Sequence, residues 1–223
     1  MRDLRNQTDE QFFALIREKL FTAAIGDILD TMGLLHQFLP PHIRPLRDDM
    51  AIVGRAMPAL EEDCHGPGEQ PFGLMLHALD DLKPNEVYVA SGGSPRYALW
   101  GELMSTRAIH LKAAGAVVNG YSRDTPGILR LNFPVFSQGR YAQDQGYRGK
   151  VVDYRVGIEI EGVRISPGDL VFADLDGVLV IPRDAEDEAV SRALEKAAKE
   201  NHVRSAIEKG MSTVEAFGRF GVM

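Results

Sequence analysis

Arg123 and Asp124 stand side by side in the run Gly120-Tyr121-Ser122-Arg123-Asp124, just past the strand-like Ala116-Val117-Val118-Asn119. Such a pair can divide labour. A guanidinium holds a carboxylate through paired N–H···O bonds, while an aspartate binds a hard divalent cation. Gly92-Gly93 and the backbone amides around Gly101, Glu102, Leu103 and Met104 offer a second group, a cradle suited to a carboxylate or phosphate. Glu102 falls in the first turn of the helix expected there, where the helix dipole alone favours an acid. Facing the Arg123-Asp124 turn, it could also bind substrate, orient a metal-bound water or transfer a proton. The plain structural alternative is a turn in which Asp124 caps the next segment and Arg123 forms a surface ion pair.

The elements around these residues bring the two groups together. Glu86 to Ala90 (EVYVA) predicts a strand, about Gly101 to Ala114 a helix ended by Gly115, and Ala116 to Asn119 a second strand. Residues 86 to 119 then form a β-α-β unit with parallel strands, so both loops leave strand C-terminal ends on one side, where α/β sheets bind ligands.

Upstream, Thr8 and Gln11 make a capping-box pattern before Phe12, Phe13, Ile16 and Leu20, and a second helix is predicted from about Thr22 to Met32. Ala51 to Met57 predicts a strand, Leu60 to Pro71 an exposed acidic loop, and Phe72 to Leu82 a short helix. Downstream, residues 156 to 165 alternate as a hairpin turning at Gly162. Leu170 to Ala173 and Gly177 to Ile181 read as strands, and Asp184 to Lys209 as a long helix before a last one at Thr213 to Phe220. On the long helix, Glu200 interrupts an apolar stripe of Ala193, Ala197 and Ile207. It either pairs with Arg204 or reaches a site, in its own or another subunit.

Several chemistries are excluded. The histidines at 36, 42, 65, 77, 110 and 202 form no HxxxH or HxH spacing, no serine sits in a GxSxG elbow, and no Walker loop or GxGxxG is present. Lys112 lies within the predicted helix without a desolvation cue, which disfavours a Schiff base. The 223 residues carry a net charge of −7, which repels nucleic acid. A single cysteine, Cys64, a polar start from Met1 to Thr8 and the absence of a long apolar run lead to the expectation of a cytoplasmic, membrane-free protein. With no repeat or linker, residues 1–223 are expected to form a single domain. Arg96, Tyr97, Arg140 and Tyr147 are candidates for the site entrance or for solvated surface.

Taken together, Gly92-Gly93, Trp100-Gly101-Glu102-Leu103 and the run from Gly115 to Asp124 resemble the regulator-of-ribonuclease-activity-A-like family, which includes the 4-hydroxy-4-methyl-2-oxoglutarate aldolases. Asp27, Gly168-Asp169, Asp176-Gly177-Val178 and Glu200 extend the resemblance over most of the chain. It implies an α/β fold, a three-layer swivelling-type β/α/β domain with N- and C-terminal helices, assembled as a homotrimer or homohexamer. It also implies a class II pyruvate aldolase that cleaves 4-hydroxy-2-oxo acids and decarboxylates oxaloacetate with Mg²⁺ or Mn²⁺. In that scheme Arg123 binds the 2-oxo acid and steadies the enolate, Asp124 anchors the metal or its waters, and Glu200 comes from a neighbouring subunit. Amides near Gly101, Leu103 and Met104, with Gly93, hold the carboxylate. Relatives that regulate a ribonuclease can lack the Asp, so a non-catalytic regulator is the first alternative and an enzyme for another oxo or sugar acid the second. Two departures stand out. The aldolases have Asp where this chain has Glu102, and an acid three places after the Arg-Asp pair, where it has Gly127.

Overall fold

The computed structural model describes residues 8–66, 70–94 and 96–221; the polar start before Thr8, and Pro67 and Gly68 of the predicted loop, lie outside them. In chain order the elements begin α1 (Asp9–Lys19), α2 (Thr22–Thr31), β1 (Arg44–Pro45), β2 (Ile52–Asp63), α3 (Met75–Asp80), β3 (Glu86–Ser91), β4 (Ala98–Trp100) and α4 (Glu102–His110). Then come β5 (Gly115–Val118), β6 (Tyr121–Ser122), α5 (Thr125–Leu131), β7 (Val135–Ser137), β8 (Gly149–Tyr154), β9 (Ile158–Ile160) and β10 (Val163–Ile165). β11 (Leu170–Asp174), β12 (Gly177–Ile181), α6 (Glu186–Glu208) and α7 (Thr213–Phe220) complete the chain. Two compact units divide it: Met1–Leu35 with Asp184–Met223, and His36–Arg183.

The unit of the chain ends is helical. The capping box forms as expected, with the Gln11 N–H donating to Thr8 Oγ1 at 3.3 Å and the Thr8 N–H to Gln11 Oε1 at 3.2 Å. Phe12, Phe13 and Ile16 bury one face of α1, and Ala189, Val190, Ala193 and Val203 one face of α6. No described helix of the chain is long and apolar enough to cross a membrane.

The unit His36–Arg183 holds a mixed sheet in the order β1-β7-β5-β3-β2-β11-β12, with β8 also paired to β2. β2, β3, β5 and β7 run parallel, and β1, β8, β11 and β12 join antiparallel. This bears out the α/β class: a mixed sheet with flanking helices. Val87, Tyr88, Val89 and Ala90 are all buried, so both faces of β3 are covered, which is why its sequence is an unbroken apolar run. β3 and β5 are neighbours, as the β-α-β reading requires. The predicted hairpin is β9–β10, pairing Ile160 with Val163 across Glu161-Gly162.

Three expectations are corrected. Leu60 to Asp63 is not loop: β2 continues through it because β8, some 90 residues later in the chain, pairs with it across a bulge at Leu60/Glu61. Gly115 does not end a helix. α4 stops at His110, Lys112 takes the left-handed turn at φ 61°, and Gly115 opens β5, where a Cβ would lie 2.5 Å from Ile52 Cδ1. The helix within Phe72 to Leu82 is shorter than predicted, Met75–Asp80.

Candidate active site

A ribbon of two very short parallel strands positions the chemistry. β4 pairs with β6, Ala98 opposite Tyr121 and Trp100 opposite Ser122, and the Arg123 N–H donates to the Trp100 carbonyl at 2.9 Å. Gly101-Glu102 and Arg123-Asp124 therefore leave the ribbon side by side. Trp100 is buried, stacks on Phe133 and donates its Nε1–H to Ser105 Oγ at 2.8 Å; that hydroxyl donates to the Gly101 carbonyl at 3.1 Å. The buried Ser122 hydroxyl lies 3.3 Å from that of Ser137 and donates to the Gly139 carbonyl at 3.3 Å, pinning the other strand.

Asp124 precedes α5 in the N-cap position, yet its side chain makes no capping hydrogen bond. Its backbone is left-handed at φ 56°, a conformation Asp tolerates better than most residues. The carboxylate turns instead to the start of α4, where Oδ2 accepts the Glu102 N–H at 3.4 Å and would lie 2.8 Å from a Cβ on residue 101. Glycine at 101 makes this approach possible. The side-chain cap on α5 is thus not formed, whereas the ion pair of the same alternative is, between the part-exposed Arg123 and Asp144.

Arg123 places Nη1 2.9 Å from Asp144 Oδ1 and Nε 3.7 Å from Asp124 Oδ2. Asp144 was not singled out from sequence; only its Gly146 neighbour, whose N–H donates to Asp144 Oδ2 at 2.9 Å, hints at a tight turn. The next residue, Gln145, donates to Glu61 Oε2 at 2.6 Å. Glu61 is buried on β2, and burial, opposed by that hydrogen bond, pushes its carboxyl up to about 8. A neutral acid therefore anchors the loop that holds Arg123.

Two hollows flank the Arg-Asp pair. One, of about 390 Å³, runs from Gly101, Leu103 and Met104 to the side chains of α3; the other, of about 320 Å³, is bounded by Ser122, Thr125, Arg140 and Tyr141. Gly93 lines neither of them: it packs against the Tyr97 hydroxyl and Asp63. Tyr97 is no entrance residue but fully buried, its hydroxyl donating to Asp63 Oδ1 at 2.8 Å, whereas Arg96 and Tyr147 are exposed. Glu102 points at Gly127: a Cβ on residue 127 would fall 2.2 Å from its carboxyl carbon. The two departures from the aldolase pattern are thus one spatial exchange, a longer acid at 102 filling the room that glycine leaves at 127.

Glu200 lies in the unit of the chain ends. Its carboxylate pairs with Lys196 at 3.1 Å, not with Arg204, and shares that ammonium with Asp27. Burial lowers the Lys196 pKa, but the two carboxylates outweigh it and hold the ammonium above its ordinary value. Among the described residues no three His, Cys, Asp or Glu side chains converge as a metal cage. Asp124, half exposed and single, suits instead a hard cation that keeps most of its waters, as Mg²⁺ and Mn²⁺ sites with one or two carboxylates do.

Comparison with known proteins bears on the family and the fold. DlpA of Legionella pneumophila is 33% identical over 197 residues, 87% of this chain, although the chain spans only 31% of that longer protein. A protein of Halalkalibacterium halodurans named "Putative 4-hydroxy-4-methyl-2-oxoglutarate aldolase" is 32% identical over 198 residues, covering 88% of this chain and 89% of its own. The crystal structure of an uncharacterized protein from Pseudomonas syringae pv. tomato matches with a TM-score of 0.82 at 27% identity, over 93% of this chain and 92% of that one. A family model described as RraA-like, Aldolase/RraA, matches residues 22–180, β4, β6 and the Arg123-Asp124 turn among them, and the chain belongs to that family.

Proposed function

We propose that this protein is a divalent-metal-dependent carbon–carbon lyase that cleaves a 4-hydroxy-2-oxo acid to pyruvate and decarboxylates oxaloacetate. The observation that carries the reading is the Asp124 carboxylate, turned off its own helix to face α4 beside a guanidinium fixed by Asp144. The family and its aldolase-named relative support it.

Both reactions leave the same product, a pyruvate enolate, so one site can serve both. Arg123 keeps N–H donors free of Asp144, and these bind the substrate carboxylate and face the 2-oxo oxygen as it gains charge. Fixed donors of this kind are worth several kcal/mol in a site that excludes water. Asp124 would hold a Mg²⁺ or Mn²⁺ ion, which would supply positive charge near the same oxygen. In retro-aldol cleavage the C4 hydroxyl loses its proton, the C3–C4 bond breaks, C4 becomes a carbonyl and the electron pair enters the enolate, which is then protonated at C3. Glu102, whose N–H meets Asp124 while its half-exposed carboxylate lies over Gly127 beside Arg130, lines neither hollow and would accept the hydroxyl proton only through a water.

Purified protein with Mn²⁺ is expected to release pyruvate from oxaloacetate and from 4-hydroxy-2-oxo acids, read by coupling to lactate dehydrogenase. Asp124→Ala removes this turnover while the melting temperature stays within a few degrees. Absence of pyruvate from every compound in the presence of either metal would refute the reading.

A further inference from the structure

The larger hollow beside Arg123-Asp124 differs in character from the pair itself. Its walls are Phe72, Leu79, Trp100, Leu103 and Met104, and the one cation on its far side, Arg107, is held by Asp80 with Nε 2.7 Å from Oδ1. Arg123 has one carboxylate partner at 2.9 Å already. A substrate can bring one carboxylate to the donors Arg123 has left. A second carboxylate in this hollow would meet apolar walls and an arginine already engaged by Asp80, and an anion left without a partner there is disfavoured.

We propose that this hollow receives the C4 substituent of the substrate and that the substituent is apolar, so that the substrate class is 4-hydroxy-2-oxo acids bearing an alkyl or aryl group at C4 rather than a second carboxylate. The inference rests on the lyase reading above. The volume, about 390 Å³, lies in the range of pockets that enclose small ligands, and the cavity opens directly onto the residues that hold the oxo-acid head. The polar hollow on the other side, with Arg140, remains the water side. For a C4-phenyl substrate, loss of the C4 hydroxyl proton and scission of C3–C4 give benzaldehyde and the pyruvate enolate. The enolate regains a proton at C3, so the step is redox-neutral and needs no further reactant.

The test uses the full chain with Mn²⁺ and three compounds: oxaloacetate, 4-hydroxy-4-methyl-2-oxoglutarate and 4-hydroxy-4-phenyl-2-oxobutanoate. The expected kcat/KM is at least tenfold higher for the phenyl compound than for 4-hydroxy-4-methyl-2-oxoglutarate. Leu76→Arg, at an exposed position on the cavity wall, should lower that ratio at least tenfold. Preference for the dicarboxylate, and its loss in Arg140→Ala, would overturn the inference, as would a ratio that Leu76→Arg leaves unmoved. So would a change of mass by light scattering in Leu76→Arg without a change in the ratio, since the apolar wall would then cover a second copy. Turnover of oxaloacetate without the phenyl compound sinks only this inference. No turnover of any of the three sinks the lyase reading beneath it.

Discussion

Two arginines in the His36–Arg183 unit are about equally exposed and differ completely in what they hold. Arg155 uses Nε on Asp81 at 2.5 Å, Nη1 on Glu86 at 2.7 Å, and Nη2 on the Asp81 carbonyl at 2.7 Å and on Glu86 at 2.9 Å. Those hydrogen bonds, against the opposing effect of burial, raise its pKa further above an already high value. Arg123 meets, among the described residues, Asp144 at 2.9 Å and Asp124 at a loose 3.7 Å. A fork whose every nitrogen is engaged, through four of its five N–H donors, serves as a clamp between loops. A fork held at one corner is oriented and still available, which a binding group requires.

The largest effect expected from this contrast is on catalysis. Arg123→Ala should lower lyase kcat/KM by about a thousandfold, with little change in urea midpoint, whereas Arg155→Ala should leave the folded protein active. Equal losses of activity in the two variants would dissolve the distinction between clamp and binding group.

Glu61 sharpens the contrast from the side of a buried acid. Its folded pKa of about 8 lies above the ordinary 4.5, so the folded protein keeps a proton that the unfolded chain gives up. Stability conferred at low pH therefore declines as pH rises from about 4.5 to about 8 and then levels off. Glu61→Gln keeps a neutral acceptor for Gln145 and should flatten this decline, gaining about 2–4 kcal/mol over wild type between pH 5 and pH 9. Urea unfolding at the two pH values measures it, and parallel curves for the two proteins would show that Glu61 is ionised when folded.

Arg155→Ala should itself reduce stability by about 2 kcal/mol, because Glu86, largely buried, loses a charged hydrogen-bond partner. A midpoint unchanged in urea would make the clamp ornamental. The smallest effect concerns Glu102. Gly127→Ala drives a Cβ into its carboxyl group, but that group is the mobile end of a long side chain, so the fold should hold within about 1 kcal/mol. Turnover should drop about tenfold if Glu102 moves a proton, and stay level if it serves only the dipole of α4.

Much of the fold was legible in the residues themselves. The apolar runs of β3 and β5, the alternation of β9–β10 and the Thr8-Gln11 box follow from local periodicity and capping, which neighbouring residues decide. The Arg123-Asp124 pair was legible too, because its address after a buried strand could be read along the chain. Asp144, Gln145 and Glu61 were not. The acidic stretch containing Glu61 reads locally as loop, and only the pairing with β8 makes it a strand and buries the acid. No local pattern distinguishes an aspartate that orients an arginine 21 positions away from one that merely turns the chain.

The amino-acid order by itself determined the class of fold, the strand endings and the residue types gathered near them, since these depend on hydrophobic period and turn chemistry within a few residues. Only the tertiary structure decided which way the Asp124 carboxylate faces, that Glu102 occupies the space over Gly127, and that the neighbouring hollow is apolar. Those are contacts between segments brought together by long-range strand pairing. Their free energies depend on burial and on partners that no single stretch of sequence contains.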